Sequence, residues 1–297
     1  MNSSLQTGAD DTRAIAEQES FIVTKEYRRF AEFCDACIRE KYIGLCYGVP
    51  GVGKTLSARY YAKWFFLENC LPIHLPYLPL HPEISDCNTL LYTAESSNYP
   101  RAIKKNLNIM EAQLGRFLWE FTPRESGAIV RYNNDHCRLI IVDEAERLKM
   151  GGLELFREIY DRGNISLIFI GMPGLEKKLS RYPQLYSRIG FAHNYRTLSQ
   201  DEMRFLLSKY WKKLGLSINP NDYTDEEARG AVAPLVVVRR RSAHTRCATI
   251  CRITNGNFRL VNRLFRQIER ITRINELSCI TAEVVEAARD CLVIGSI

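Results

Sequence analysis

Residues 48–55 read Gly-Val-Pro-Gly-Val-Gly-Lys-Thr, which fits the phosphate-loop pattern G-x-x-x-x-G-K-[ST]. A short apolar run at 42–47 precedes this stretch, and apolar residues at helical spacing follow it from 56 to 67. A loop between a strand and a helix can bind phosphate, because its glycines expose backbone N–H groups and the helix N-terminus adds a positive dipole end. The stretch therefore predicts a nucleoside triphosphate site.

Two polar side chains of the loop have predicted roles of their own. Lys54 is expected to reach the β- and γ-phosphates, and Thr55 to offer its hydroxyl to Mg²⁺. The predicted nucleotide contacts of the loop are Gly48, Pro50, Gly51, Val52, Gly53, Lys54, Thr55 and Leu56.

A second motif, Leu-Ile-Ile-Val-Asp-Glu at 139–144, indicates a buried strand that ends in two carboxylates. Phosphate-loop NTPases need an acidic residue on a neighbouring strand to place the metal. We therefore expect Asp143 to hold the Mg²⁺ shell and Glu144 to polarise the attacking water.

Composition is that of a folded protein of one or two domains, since 46% of the 297 residues are apolar and 25% are charged. There is no run of 18 apolar residues, and the N-terminus lacks the apolar core of a signal peptide. A cytoplasmic location without a membrane partner is expected. The ten cysteines are scattered, and for Cys34 and Cys37 packing within a helix is favoured over metal or redox use.

Strand and helix patterns alternate up to about residue 198 and are helical only beyond it, which predicts a parallel α/β sheet followed by a smaller helical domain. The predicted divisions are a flexible tail at 1–20, an α/β base at 21–198 and a helical domain at 199–297. Five strands are predicted at 42–48, 89–94, 138–143, 166–171 and 191–195. Helices are predicted at 25–41, 54–68, 100–121, 153–162, 174–180, 199–213, 239–253, 257–274 and 281–291.

This organisation resembles the AAA+ ATPases, in which a phosphate-loop base with a five-stranded parallel sheet is followed by a small all-helical lid. The segment 254–259, Thr-Asn-Gly-Asn-Phe-Arg, resembles the lid motif whose arginine touches the γ-phosphate of ATP, and here that arginine is Arg259. The segment 184–188 resembles the one that carries an arginine finger for the neighbouring subunit. The resemblance implies this role for Arg188, with Arg181 as second choice.

Within the AAA+ proteins, segments 143–148 and 171–177 resemble those of the transposition regulators of the TniB/TnsC, IstB and MuB group. The resemblance implies assembly into a ring or helical filament on duplex DNA, with Mg²⁺-ATP between subunits. It also implies a transposase, and a target-selection protein, as partners. A helicase loader and a secretion-associated AAA+ ATPase that does not bind DNA remain as alternatives.

The sequence departs from the AAA+ pattern at the end of the fourth strand, where Gly171-Met172 stands in place of a polar residue. A thioether cannot donate a hydrogen bond to water or phosphate. Slow hydrolysis, a nucleotide-binding scaffold without turnover, or a role for Asn164 or Ser166 are the alternatives that follow.

Positive charge is concentrated near the C-terminus of a chain with net charge +7: residues 231–297 hold eleven arginines, no lysine and five acidic residues. Such a basic end suits a nucleic-acid or phosphate partner. Three sets of basic residues could contact DNA, and for each set a solvated helix face is the alternative. The sets are Arg259, Arg263, Arg266, Arg270 and Arg273; Arg239, Arg240, Arg241 and Arg246; and Arg101, Lys104 and Lys105. The resemblance favours the third set, which lies early in the helix after the second strand, for sequence-tolerant and salt-sensitive contacts to the DNA backbone.

Overall fold

A computed structural model describes residues 21–68, 81–121, 136–213, 250–277, 280 and 282–292. Compact packing divides the chain between Tyr195 and Arg196, and the short stretch Pro50–Gly53 packs with the second part. We call Met1–Val49 with Lys54–Tyr195 the α/β unit, and Pro50–Gly53 with Arg196–Ile297 the helical unit. The predicted tail at 1–20 and the arginines at 239–246 lie outside the described residues, so their predictions stay open.

The α/β unit contains one sheet of five strands: β1 (Ile43–Tyr47), β2 (Thr89–Thr93), β3 (Leu139–Asp143), β4 (Ser166–Gly171) and β5 (Ile189–Asn194). The order across the sheet is β2-β3-β4-β1-β5, and every neighbouring pair is parallel. All of β3 and β4 is buried, whereas β5 at the edge alternates between partly exposed and exposed residues. Burial on both faces explains why the inner strands are continuous apolar runs in the sequence.

The helices of the α/β unit are α1 (Lys25–Glu40), α2 (Lys54–Tyr61), α3 (Trp64–Leu67), α4 (Pro100–Phe121), α5 (Met150–Arg162), α6 (Leu175–Leu179) and α7 (Pro183–Tyr186), with short 3-10 helices at Pro82–Ile84 and Ala145–Arg147. The helical unit contributes α8 (Gln200–Lys213), α9 (Phe258–Ile274) and α10 (Ala282–Asp290). The predicted fold class, a parallel five-stranded α/β sheet followed by a helical region, is confirmed.

Local structure differs from the prediction where the backbone leaves the helical region. The single helix predicted at 54–68 is interrupted because Lys63 is left-handed, with φ of 52°. This break lets all four residues of α3 be buried. The short helix predicted at 174–180 is α6, whereas α7 was not predicted and begins with proline at its first position.

In the helical unit, α9 shows how the sequence separates a buried from a charged face. Asn257 caps the helix by accepting a hydrogen bond of 3.2 Å from the backbone N–H of Leu260. The buried residues recur at helical spacing, and the arginines at 259, 263, 266, 270 and 273 are all exposed. The buried residues are Val261, Leu264, Phe265 and Ile268.

The parallel order brings the C-terminal ends of the strands to one edge of the sheet. Gly171 pairs with Tyr47, which directly precedes the phosphate loop, and Thr93 pairs with Asp143. The predicted phosphate-loop and carboxylate motifs therefore meet at this edge, which is where open α/β sheets bind their ligands.

Cys34 and Cys37 are both buried in α1. Burial raises the pKa of the Cys37 thiol to about 12. A Cβ added at Gly44 of β1 would lie 2.6 Å from Cys37 Sγ, so this cysteine packs directly on the sheet. No helix in the described ranges has the length and apolar character needed to cross a membrane.

Candidate nucleotide-binding site

The phosphate loop connects β1 to α2, and its glycines meet two different steric demands. Gly51 and Gly53 have φ of 83° and 111°, in the left-handed region that favours glycine. Gly48 is required by a close approach instead, because a Cβ there would lie 2.3 Å from the backbone oxygen of Tyr195. The rest of the motif follows the loop into α2: Val52 is buried, Lys54 begins the helix, and Leu56 is partly exposed.

Lys54 is mostly buried, with 9% of its surface exposed. Its Nζ donates to the carbonyl oxygens of Gly48 at 2.6 Å and Val49 at 3.1 Å, both in the phosphate loop. Burial lowers the pKa of Lys54, and nearby acidic groups that include Asp143 act in the opposite direction. The ammonium group is thus held at the loop by two neutral acceptors, which phosphate oxygens can replace.

Thr55 and Asp143 come together although 87 sequence positions separate them. The Thr55 hydroxyl lies beside the Asp143 carboxylate, which is 3% exposed and accepts a hydrogen bond from the Glu144 N–H at 2.9 Å. Burial raises the pKa of Asp143, and the Thr55 hydroxyl and the Glu144 N–H oppose the shift. A hydroxyl beside a carboxylate suits Mg²⁺, which prefers oxygen ligands, so both residues fit their predicted metal role.

Glu144 directly follows β3 and has a left-handed backbone with φ of 53° and ψ of 38°. A non-glycine residue in this region is strained, and such strain often occurs at functional sites. The Glu144 carboxylate is partly exposed and forms an ion pair of 3.3 Å with Arg147. The predicted water-activating group is therefore held by an arginine of its own loop.

Asn98 is a site residue that the sequence analysis missed. It is buried, and its Nδ2 donates to the carbonyl oxygens of Glu95 at 2.9 Å and Arg147 at 2.8 Å. Its Oδ1 accepts from the Lys149 N–H at 3.2 Å. Asn98 thus joins the loop after β2 to the loop after β3, and no local sequence pattern indicates a link across about 50 residues.

The end of β4 shows what replaces the polar residue expected there. A Cβ at Gly171 would lie 2.5 Å from Oε2 of Glu146, so the Glu146 side chain occupies the space beside this glycine. That oxygen is buried and has no hydrogen-bond partner among the described residues. Asn164 and Ser166 precede or begin β4 at the opposite end of the strand, and Ser166 Oγ donates to the carbonyl of Cys37. Neither can reach the phosphate loop.

Arg188 lies between α7 and β5 and is bound within its own chain. Its Nε and Nη2 donate to the two carboxylate oxygens of Asp161 at 2.6 and 2.9 Å, and its Nη1 donates to the Gln184 carbonyl. The second-choice finger, Arg181, is exposed and forms no ion pair with any residue that the structure describes. The two candidates therefore differ in how firmly they are positioned.

Within the helical unit, the start of α9 contacts Pro50–Gly53. The backbone N–H of Arg259 donates to the Gly51 carbonyl at 2.9 Å, and Asn257 Nδ2 donates to the Pro50 carbonyl at 2.8 Å. A Cβ at Gly51 would lie 2.6 Å from Asn257 Oδ1, a second reason for glycine at this position. The Arg259 side chain is exposed, and its contact with the γ-phosphate stays a prediction.

The predicted DNA contacts lie in the first two turns of α4. Arg101, Lys104 and Lys105 are all exposed, and none forms an ion pair within the described ranges. Exposed arginines elsewhere do form such pairs, for example Arg162 with Glu158 at 3.3 Å. Next to these three, the Lys149 ammonium lies over the ring of the exposed Tyr99, 5.9 Å from its centroid.

The fold and the loop define the class of protein. The sheet is all parallel in the order β2-β3-β4-β1-β5, a phosphate loop follows β1, and a carboxylate stands at the end of β3. These features make this an AAA+ protein with an ATP-binding domain. Its membership is shown by sequence as well. The chain belongs to the AAA domain family, whose profile matches residues 38–179. A Staphylococcus aureus protein described as a potential ATP-binding protein is 45% identical over 295 residues, which cover 95% of this chain and 99% of that relative.

Solved structures show the same fold at low sequence identity. The Thermotoga maritima RuvB Holliday junction branch migration motor matches with a TM-score of 0.54 at 13% identity, covering 92% of this chain and 70% of RuvB. The Aeropyrum pernix ORC1 protein in complex with DNA matches with a TM-score of 0.50 at 19% identity, covering 91% of this chain and 65% of that one. At such identities the likeness is one of fold alone.

Proposed function

We propose that this protein is an AAA+ ATPase that regulates DNA transposition. It assembles with ATP on duplex DNA, recruits or activates a transposase at the target site, and is reset by ATP hydrolysis. The observation that carries the DNA-binding part is the start of α4, where Arg101, Lys104 and Lys105 are exposed and form no ion pair with the residues that the structure describes. Asn98 joins the loop that leads to α4 with the loop that follows Glu144, and this link would couple DNA contact to the ATP site.

ATP binding rests on the phosphate loop and the residues at the sheet edge. Lys54 exchanges two carbonyl acceptors for phosphate oxygens, and the backbone N–H groups of the loop bind the same phosphates. Thr55 and Asp143 would hold Mg²⁺, which supplies positive charge to the β- and γ-phosphates when bound. Arg259 is the proposed further contact to the γ-phosphate.

Hydrolysis is assigned to Glu144, which accepts a proton from water once its carboxylate leaves Arg147. Arg188 of a neighbouring subunit adds positive charge at the γ-phosphate, so turnover depends on assembly. ATP at the subunit interface then couples the nucleotide state to the oligomeric state. A ring and a helical filament both satisfy this arrangement.

Contact with DNA is assigned to Arg101, Lys104 and Lys105. Their exposure and lack of ion pairs within the described ranges leave all three charges available to backbone phosphates. Such contacts bind duplexes of any sequence and weaken with salt. The transposase and the target-selection protein are proposed from the resemblance of segments 143–148 and 171–177 to transposition regulators.

One experiment tests assembly and the DNA surface together. Binding to plain duplex DNA is measured with ATP, ADP or no nucleotide at two salt concentrations, and the same samples are imaged. We expect ATP-dependent, salt-sensitive rings or filaments. Replacing Arg101, Lys104 and Lys105 together by Ala should abolish them, whereas the matched triple replacement of Arg263, Arg266 and Arg270 should not.

Other outcomes are equally informative. If only the α9 triple variant loses DNA binding, the DNA surface lies on the helical unit. If the wild-type protein binds ATP but binds no DNA at any nucleotide or salt condition, the regulator proposal fails. The helicase-loader and secretion-associated alternatives then take its place. Addition of the transposase to DNA-bound assemblies tests the partner directly.

A further inference from the structure

The ion pair that holds Arg188 is part of a larger charged cluster on α5. Asp161 accepts two hydrogen bonds from Arg188, and its Oδ2 also accepts from Arg157 at 2.5 Å. Arg157 in turn donates from Nε to both carboxylate oxygens of Glu154 at 3.0 Å. Carboxylate, cation and carboxylate thus alternate along α5 at Glu154, Arg157 and Asp161, and Arg188, which lies outside this helix, is joined to them through Asp161.

The hydrogen-bond count of Arg188 leaves part of its guanidinium free. Two N–H groups bind Asp161 and one binds the Gln184 carbonyl, and a guanidinium has five N–H groups in a planar fork. Among the residues that the structure describes, one N–H on each terminal nitrogen has no partner. A planar guanidinium fixed along one edge can therefore still bind an anion with the other.

Positioning of this kind has a physical benefit for an arginine that acts on another subunit. A free arginine side chain loses much rotamer entropy when it is immobilised, and this loss opposes its binding to phosphate. Asp161 immobilises Arg188 before the neighbour arrives. The hydrogen bonds from the Arg188 guanidinium lower the pKa of Asp161, as expected for a carboxylate that is paired with this cation.

We infer that Asp161 is a positioning residue for the arginine finger: it holds Arg188 in place to complete the ATP site of the neighbouring subunit. The inference rests on the proposed function, because it takes Arg188 as the residue supplied in trans. Arg181, which has no comparable partner within the described ranges, is not part of the site.

The test uses the full-length protein assembled on DNA with ATP. Asp161→Ala should lower ATP turnover by about tenfold, the loss expected when one rotamer-rich side chain must be ordered at the interface. Arg188→Ala should lower it by about 10³-fold or more. Glu154→Ala is the matched control, since it removes a carboxylate of the same helix and leaves the Asp161–Arg188 pair intact, and it should turn over like the wild type.

Mixing subunits separates positioning from a general structural defect. Glu144→Gln subunits cannot hydrolyse ATP but still supply an intact Arg188. Their addition should restore turnover to Asp161→Ala subunits. Those subunits keep an intact Glu144 and lack only a well-positioned Arg188, which the Glu144→Gln neighbour supplies. Addition of Arg188→Ala subunits should leave the turnover of Asp161→Ala subunits low, because they supply no arginine finger.

Three results would overturn the inference. They are wild-type turnover in Asp161→Ala, turnover above wild type in that variant, and a low turnover that Glu144→Gln subunits fail to restore. A distinct result, normal turnover of Arg188→Ala, would remove Arg188 as the finger and Asp161 with it. The DNA-binding assay on Arg188→Ala reports on the proposed function independently, since assembly on DNA can persist when the finger assignment fails.

Discussion

Two regions of the α/β unit carry the proposed chemistry, and they differ in how their charges are held. At the phosphate site, formed by Lys54, Thr55, Asp143 and Glu144, each charged group contacts another group of the site or its loops. At the basic start of α4, formed by Arg101, Lys104 and Lys105, the charges are exposed and free of ion pairs within the described ranges. A fixed ligand requires the first arrangement, whereas a repeating polymer of phosphates is bound well by the second.

This contrast predicts all-or-none effects at the phosphate site and incremental ones at α4. The largest effect is expected for Lys54→Ala. ATP affinity should fall at least about 100-fold, because charge-assisted hydrogen bonds to phosphate contribute roughly 1.5–3 kcal/mol each and 1.4 kcal/mol is tenfold. Titration with ATP measures this loss, and Lys177→Ala, an exposed lysine of α6, should bind ATP normally. Unchanged affinity in Lys54→Ala would remove the phosphate-loop assignment.

Glu144→Gln should separate binding from turnover at the same site. The amide cannot accept a proton, so hydrolysis should fall about 10²- to 10⁴-fold while ATP affinity is retained. Steady-state turnover and electron microscopy with ATP together should show assemblies that persist on DNA. Glu158→Gln, at a partly exposed position of α5, is the control. Normal hydrolysis in Glu144→Gln would assign the water-activating role to another residue.

A single substitution at the basic start of α4 should have a graded effect. Lys104→Ala should reduce the slope of log affinity against log salt concentration by about 0.9, the contribution of one phosphate contact on duplex DNA. ATP affinity should not change. Arg266→Ala on α9 provides the comparison, and a larger slope change in that variant would transfer the DNA surface to the helical unit.

The smallest effect concerns the stability of the nucleotide-free protein. Because burial raises the pKa of Asp143, the folded state binds a proton more tightly there than the unfolded state does. The stability of the wild type should therefore fall relative to Asp143→Asn as pH rises from the ordinary aspartate pKa to the raised one. At neutral pH we expect Asp143→Asn to melt about 2–4 °C higher, the shift that 1 kcal/mol produces in a domain of this size. Thermal melts of both proteins across pH measure it, and equal melting at every pH would show that Asp143 is ionised without penalty.

Prediction of the fold from sequence succeeded where one local signal determined one element. The inner strands are continuous apolar runs, and their parallel order follows from the alternation with helices. Prediction was less accurate where the backbone changes direction within a segment. Lys63 interrupts an apolar helical pattern through a left-handed conformation, and helical periodicity gives no sign of that.

The same division applies to the site. The loop residues and Asp143 were predicted because phosphate and metal chemistry demands particular residue types at particular spacings. Asn98, Arg147 and Asp161 were not, because each acts through contacts made far along the chain or across a turn. For Glu146 the only signal was indirect: Gly171 lacks the polar side chain expected there, and the glycine makes room for a carboxylate from another loop.

The amino-acid sequence by itself determined the class of protein, the phosphate loop, the acidic end of β3 and the change to helices near residue 198. These are local properties, since they depend on residue type, spacing and periodicity over a few turns. Only the tertiary structure decided which charges have partners: Arg188 is bound by Asp161, Glu144 by Arg147, and the cations of α4 by no ion-pair partner in the described ranges. The reason is physical, because an ion pair depends on a distance of a few ångströms in space, and separation along the chain does not specify that distance.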